Sequence, residues 1–129
     1  MIIVLDASGA VEIALGNAHA QQFLQFLKKA DVVLSPDIFV SEVTNVFWKY
    51  RQLGHLTDEV CLHGIEFCVH LIDDFVDSRN LWREAYFEGV KNRTATHDMF
   101  YLVVARRNAG KIVSLDKKLN ALAEEEELT

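Results

Sequence analysis

Two short apolar runs, each closed by an aspartate, constrain this chain most. Ile2-Ile3-Val4-Leu5 runs into Asp6, and Ile112-Val113-Ser114-Leu115 runs into Asp116. Runs this short and this rich in branched residues suit strands buried on both faces. Between them lie long stretches with apolar residues at helical spacing. Strands separated by helices pair in parallel through crossover connections, so the expected architecture is α/β, with helices on both faces of the sheet. In such open sheets ligands bind in the crevice beyond the carboxyl ends of the strands, where both aspartates fall.

The remaining elements follow from caps and breaks. Ser8 reads as the N-cap of a short helix reaching about Leu15, and residues 18–29 carry a second helical stripe. Asp31 to Leu34 reads as a strand stopped by Ser35-Pro36-Asp37, which opens a helix to about Leu53, ended by Gly54. Thr57 caps a helix to about Val69. Residues 70–76 allow a short strand around Leu71-Ile72. Ser78 or Asp77 caps a helix to about Lys91. Thr94 or Thr96 caps another from about Asp98 to Asn108, with Gly110 as its stop. A strand over Lys111 to Leu115 precedes a last helix that enters the glutamate tail.

The chain has 129 residues, half of them apolar, which fits one domain over residues 1–129 with a core that needs no staples. The first apolar run is too short for a signal peptide or a membrane span. Two cysteines make no disulfide framework, so the expected setting is cytoplasmic, with reduced thiols. Cys61-x-His63 and Cys68-x-His70 imitate a zinc pattern. On a helix, however, positions i and i+2 point about 200° apart, so one tetrahedral site cannot collect them. The net charge of −6 argues at first against a polyanionic substrate. Setting aside Glu124 to Glu127 and the four acids of the crevice leaves +2 on the rest of the surface, so such a substrate is not excluded.

Two further acids belong with Asp6 and Asp116. Glu42 shares a helix face with Ile38, Val46 and Asn45, and a glutamate on an apolar stripe is costly unless paired or bound to a metal. Asp98 opens the apolar helix Met99 to Ala105, a place that also suits helix-start chemistry alone. Ser8 is placed to orient Asp6, and Asn45 to orient Glu42; an N-cap and a surface amide are the structural alternatives. Lys117 and Lys118 are candidates for phosphate contact or a solvated helix start. Four carboxylates suit a hard ion with oxygen ligands, Mg2+ or Mn2+, better than zinc. Paired acids, as in D-x-D, are absent after the first strand, which argues against a haloacid-type phosphatase or a receiver.

Four segments in order resemble the PIN-domain family: Val4-Leu5-Asp6-Ala7-Ser8, Glu42 with Asn45 as an E-x-x-N element, Asp98 to Ala105 as a D-A-x-Y-x-x-x-A helix, and Val113-Ser-Leu-Asp116 as a T-x-D element 18 residues after Asp98. Size and order are most similar to toxin ribonucleases of the VapC type. The resemblance implies a PIN-like three-layer sandwich with a central parallel sheet of about four strands. It also implies endonucleolytic cleavage of RNA by a metal-activated water, leaving a 5′-phosphate. Asp6, Glu42, Asp98 and Asp116 are the implied catalytic and metal-binding set, with Ser8, Asn45 and Thr96 in support. A homodimer and a cognate antitoxin are the implied partners. The excess apolar surface of two adjacent helices (Phe39, Val43, Phe47, Trp48, Tyr50; Cys61, Leu62, Ile65, Phe67) is available for them, or for the core alone. A PIN nuclease of RNA processing and a non-catalytic binding module on the same scaffold are the alternative readings. Three departures stand out. Gly9 replaces a larger apolar residue and is expected to loosen the first helix. Ala95 replaces a Ser or Thr three residues before Asp98, with Thr94 and Thr96 as substitute caps. A final edge strand is expected to be missing.

Overall fold

Four parallel strands in the order β3-β2-β1-β4 form the sheet of this computed structural model, which describes residues 1–129. β1 is Ile2–Leu5, β2 Val32–Pro36, β3 Asp74–Val76 and β4 Lys111–Val113. The sheet is flanked by helices: α1 Ala7–Leu15, α2 Ala20–Lys29, α3 Ile38–Gln52, α4 Asp58–His70, α5 Trp82–Asn92, α6 Thr96–Asn108 and α7 Lys117–Glu125. The α/β layout with about four parallel strands is the one the sequence implies. β1 is central because its residues are wholly apolar: Ile3, Val4 and Leu5 are all buried. α6 is the central helix. Met99 and Tyr101 to Ala105 are buried along it, and it packs on β1, β2 and β4 with α5 and α7 against it. On the other side, α1 packs with α2, α3 and α4.

Several boundaries depart from expectation. Asp6, not Ser8, is the N-cap of α1: its carboxylate accepts from the Gly9 backbone N–H, and Ser8 sits inside the first turn. Pro36 is the last residue of β2 rather than part of the stop that follows it; proline is tolerated at that end because the Asp37 N–H, not its own, bonds onward, to Val76 O. The third strand is Asp74–Val76 and not Leu71-Ile72, because Leu71 and Ile72 still hydrogen-bond back into α4. Asp77 caps only a 3-10 turn at Ser78–Asn80, and α5 starts at Trp82 without a side-chain cap. Neither Thr94 nor Thr96 caps α6; its N-cap is Ala95. β4 ends at Val113, because the Ser114 side chain and the Leu115 N–H turn to Asp6 and Ser8 instead of a neighbouring strand.

One expected departure needs correction, and another holds. Gly9 does not loosen α1. A β-carbon there would lie 2.9 Å from Val113 O and 3.0 Å from a Leu5 methyl, so glycine is what lets α1 sit directly on the strand ends. The final edge strand is missing, as expected: β4 ends the four-stranded sheet, and buried Leu128 accepts from the Ile112 N–H at 2.8 Å, a single bond where that strand would run. Cys61 and Cys68 are free and buried, whereas His63 and His70 are exposed, so the zinc pattern is core packing. Burial pushes the Cys68 thiol up to about 12. Arg106 and Arg107 lie in the last turn of α6, where cations are expected to complement the helix's carboxyl end, and they do more. Arg106 pairs with Glu84, Glu88 and Glu126 at 2.6–2.8 Å, and Arg107 with Glu84 at 3.1 Å, tying α5 and the acidic tail to α6. No helix is long and apolar enough to cross a membrane.

Candidate active site

Three of the acids ride on strand-to-helix junctions at the crevice, and the fourth on the link from α5 to α6. Asp6 follows β1 and caps α1. Glu42 lies in the second turn of α3, which follows β2. Asp98 lies in the first turn of α6. Asp116 follows β4 and caps α7 by accepting from the Leu119 N–H at 2.8 Å. The positive ends of α1, α6 and α7 therefore face the acids and temper their repulsion. One cleft of about 250 Å3 is lined by all four, together with Ala7, Ser8, Asn45, Val46 and Tyr101. No lysine or arginine is among these lining residues.

Asp6 is the most firmly held. One oxygen accepts from Ser8 Oγ at 2.7 Å and from the Gly9 N–H at 2.9 Å; the other accepts from Ser114 Oγ at 2.5 Å. Ser114 Oγ accepts in turn from the Asp116 N–H at 2.9 Å, so one buried hydroxyl ties two acids together. Burial nevertheless raises the Asp6 carboxyl to about 6, against the lowering effect of these bonds, and the Glu42 charge adds to the rise. Burial likewise raises Glu42, with a further push from Asp98, and burial followed by the Asp116 charge raises Asp98. Each acid thus feels the next around the cleft. His97 works the other way, lowering Glu42 and Asp98. The four acids form an open ring and not a closed cage, since no three carboxylate, histidine or cysteine side chains stand close enough to grip one ion together.

The supporting residues sort differently. Ser8 holds Asp6, as its position suggested, and also accepts from the Leu115 N–H at 2.9 Å. Asn45 lines the cleft, but Glu42 is fixed by another partner: Tyr101 Oη donates to Glu42 Oε1 at 2.5 Å. Thr96 does not line the cleft; its methyl packs at Gly89. Sequence reasoning missed Ser114 and Tyr101 as site residues. Both were visible inside the quoted motifs, as the first residue of Ser-x-Asp and as an aromatic three positions after Asp98, on the same helix face.

Tyr101 gives a direct test. The phenol is almost wholly buried, and a hydrogen bond to a charged group contributes about 1.5–3 kcal/mol. We expect Tyr101→Phe to lose about 1.5–2 kcal/mol, the lower part of that range, because Glu42 is only partly buried. Urea unfolding at neutral pH measures it; an unchanged midpoint would show that this bond holds nothing.

A PIN-domain family model matches residues 3–125. Among curated proteins, Ribonuclease VapC3 of Pyrobaculum aerophilum is 22% identical over 124 residues, covering 92% of each chain. Among solved structures, PAE2754 from Pyrobaculum aerophilum superposes with a TM-score of 0.75 at 19% identity, covering 94% of this chain and 84% of that one. VapC20 from Mycobacterium tuberculosis, described as a sarcin-ricin loop cleaving toxin, superposes with a TM-score of 0.67 at 17% identity, covering 93% and 94%. At these identities the two structures speak for the fold alone, and the family model, which spans nearly the whole chain, decides membership. The chain belongs to the PIN-domain family.

Proposed function

We propose that this protein is a metal-dependent endoribonuclease of the VapC type, the toxin of a toxin–antitoxin pair. The observation that carries the reading is the cleft in which a PIN fold collects four carboxylates without a neutralising lysine or arginine. Such a donor set fits Mg2+ or Mn2+. Magnesium keeps several of its waters and takes only one or two carboxylates directly, so an open ring suits it better than a closed cage. A divalent ion bound there supplies an activated water for attack on a phosphodiester and offsets charge on the phosphate. Asp6, Glu42, Asp98 and Asp116 are the residues that would hold it. Ser8 and Ser114 fix both oxygens of Asp6, and Tyr101 fixes Glu42, so these two side chains are aimed before any ligand arrives.

The names of the relatives support RNA as substrate and an antitoxin as partner. Apolar surface exists for partners. Phe39, Val43, Phe47 and Cys61 are spent on the core, but Trp48, Leu62 and Phe67 of α3 and α4 remain exposed. A second stripe, Trp82, Tyr86, Phe87 and Val90, is exposed along α5. We assign these two faces to the antitoxin and to a second copy of the chain.

The test is cleavage of total RNA by the purified protein with Mg2+ or Mn2+, against a chelator, with mapping of the new ends. We expect cuts bearing 5′-phosphates that vanish with the chelator. Loss of a residue that merely supports a metal ligand costs about 10–100-fold, so Asp98→Asn is expected to cost at least about a hundredfold. Cleavage that survives the chelator or Asp98→Asn rejects the proposal.

A further inference from the structure

The acidic cleft needs cations nearby if a polyanion is to approach it, and most arginines near the α5–α6 side of the molecule are already committed. Arg79, Arg106 and Arg107 are all in ion pairs. Three cations on the Asp98 and Asp116 side are not. Arg93 ends α5, in the short link to α6 and Asp98. Lys117 and Lys118 open α7 directly after Asp116. All three are exposed, and none pairs with a carboxylate within 4.0 Å. Lys118 Nζ donates to the Arg93 backbone carbonyl at 3.4 Å, so the start of α7 and the end of α5 meet, and the three residues sit at one junction. Arg93 adopts a left-handed backbone, φ 53°, as the C-cap of α5, which turns the chain sharply toward Asp98.

We propose that Arg93, Lys117 and Lys118 form a backbone-phosphate rail, which carries a single strand of RNA out of the cleft over the junction of α5, α6 and α7. The inference rests on the nuclease reading and adds the strand's path. Its physical basis is charge placement. In a chain of net charge −6, unpaired cations beside four acids offset the repulsion that a phosphate next to the cleft would otherwise meet. These residues contact the strand and position it; they do not touch the reacting atoms.

The test is salt-dependent binding of a labelled single-stranded RNA, in Mg2+, by protein carrying Asp98→Asn so that the strand survives. Each lost phosphate contact on a single strand lowers the slope of log affinity against log salt by about 0.7. We expect Lys117→Gln with Lys118→Gln to lower it by about 1.4 and weaken all sequences alike. Arg93→Asn, which keeps a residue tolerant of the left-handed backbone, should lower it by about 0.7. The charge-matched control is Lys28→Gln with Lys29→Gln. Lys29 lines a groove with Met1 and Ile3 at the start of β1, at the opposite end of the sheet, and this pair should leave the slope unchanged. Single-stranded DNA of the same sequence should show the same losses, because phosphate is common to both. Equal losses in the control pair, no loss in the rail variants, or a loss confined to RNA each overturns the rail. If the protein cleaves RNA but fails this test, the rail alone falls; if it neither binds nor cleaves RNA, the nuclease reading falls with it.

Discussion

Asp6→Asn is expected to make the metal-free protein more stable while removing its activity. Asp6 is only 5% exposed, and its carboxyl titrates at about 6 in the fold against its ordinary 3.8. At pH below the ordinary value both folded and unfolded chains hold the proton, and Asp6 contributes no difference. Between about 4 and 6 the unfolded chain releases its proton while the folded one keeps it, so the opposition to folding grows with pH. Above about 6 the opposition is complete, at about 3 kcal/mol. The isosteric amide removes the buried charge. It also keeps the local bonds: Ser8 Oγ and the Gly9 N–H can still donate to the amide oxygen, and the amide nitrogen can donate to Ser114 Oγ.

Two measurements follow for this variant. In chelator, unfolding of the wild type should show stability falling as pH rises from about 4 to 6, with the fall absent or much reduced in Asp6→Asn. At pH 7 the variant should be more stable by about 1–3 kcal/mol, the upper figure being the full electrostatic relief. With Mn2+ at about a hundred times its dissociation constant, the wild type should regain about 2.7 kcal/mol, and the variant far less. Cleavage should fall at least about a hundredfold. A variant less stable than the wild type in chelator would mean that Asp6 is a structural cap whose charge is welcome, and the functional assignment of its burial would be wrong.

The sequence made the fold legible wherever a pattern was local and redundant. β1 announced itself because four apolar residues in a row have no solvent face, β4 because Ile112, Val113 and Leu115 make a short apolar run, and α6 because Met99 to Ala105 is apolar nearly all round. Asp6 and Asp116 were legible as site candidates because a strand end is a position that a one-dimensional pattern marks. What stayed hidden was decided by partners distant in the chain. Ser8 looks like a cap because a serine before an apolar run usually is one. It is Asp6 that wins the cap, since its carboxylate reaches Gly9 N at 2.9 Å while Ser8 is drawn to Asp6 and Leu115. Asn45 was the reasonable orienting group for Glu42 on spacing, but Tyr101, 59 residues away, reaches it instead. β3 slid from Leu71-Ile72 to Asp74–Val76 because its register is set by pairing with β2, which hydrophobicity does not encode. Arg106 looked like a helix-end cation because its three carboxylates come from two other elements.

Gly9→Val is expected to damage both the fold and the site, against the trend that a larger residue steadies a helix. Glycine inside a helix costs about 1 kcal/mol relative to alanine, so a propensity argument alone predicts a gain on replacing it. The packing argument has the opposite sign and is larger. The added β-carbon would meet Val113 O at 2.9 Å, and that oxygen belongs to the backbone of β4, where it also accepts from the Asp6 N–H at 3.2 Å. It cannot rotate away as a side chain would. Valine brings two more methyl groups into a wall that already includes a Leu5 methyl at 3.0 Å and Asp6 Oδ1 at 3.5 Å. Overpacking of this kind typically costs about 1–3 kcal/mol, and α1 must lift from the strand ends to relieve it. Lifting α1 carries the Gly9 N–H away from Asp6, so cleavage should drop by more than the unfolded fraction explains. Gly9→Ala separates the two effects: it adds the same β-carbon with the full propensity gain, and should fall between the wild type and valine in stability. If Gly9→Val is as stable as the wild type and cuts RNA as fast, the close seat of α1 on Val113 is not what holds the first acid in place.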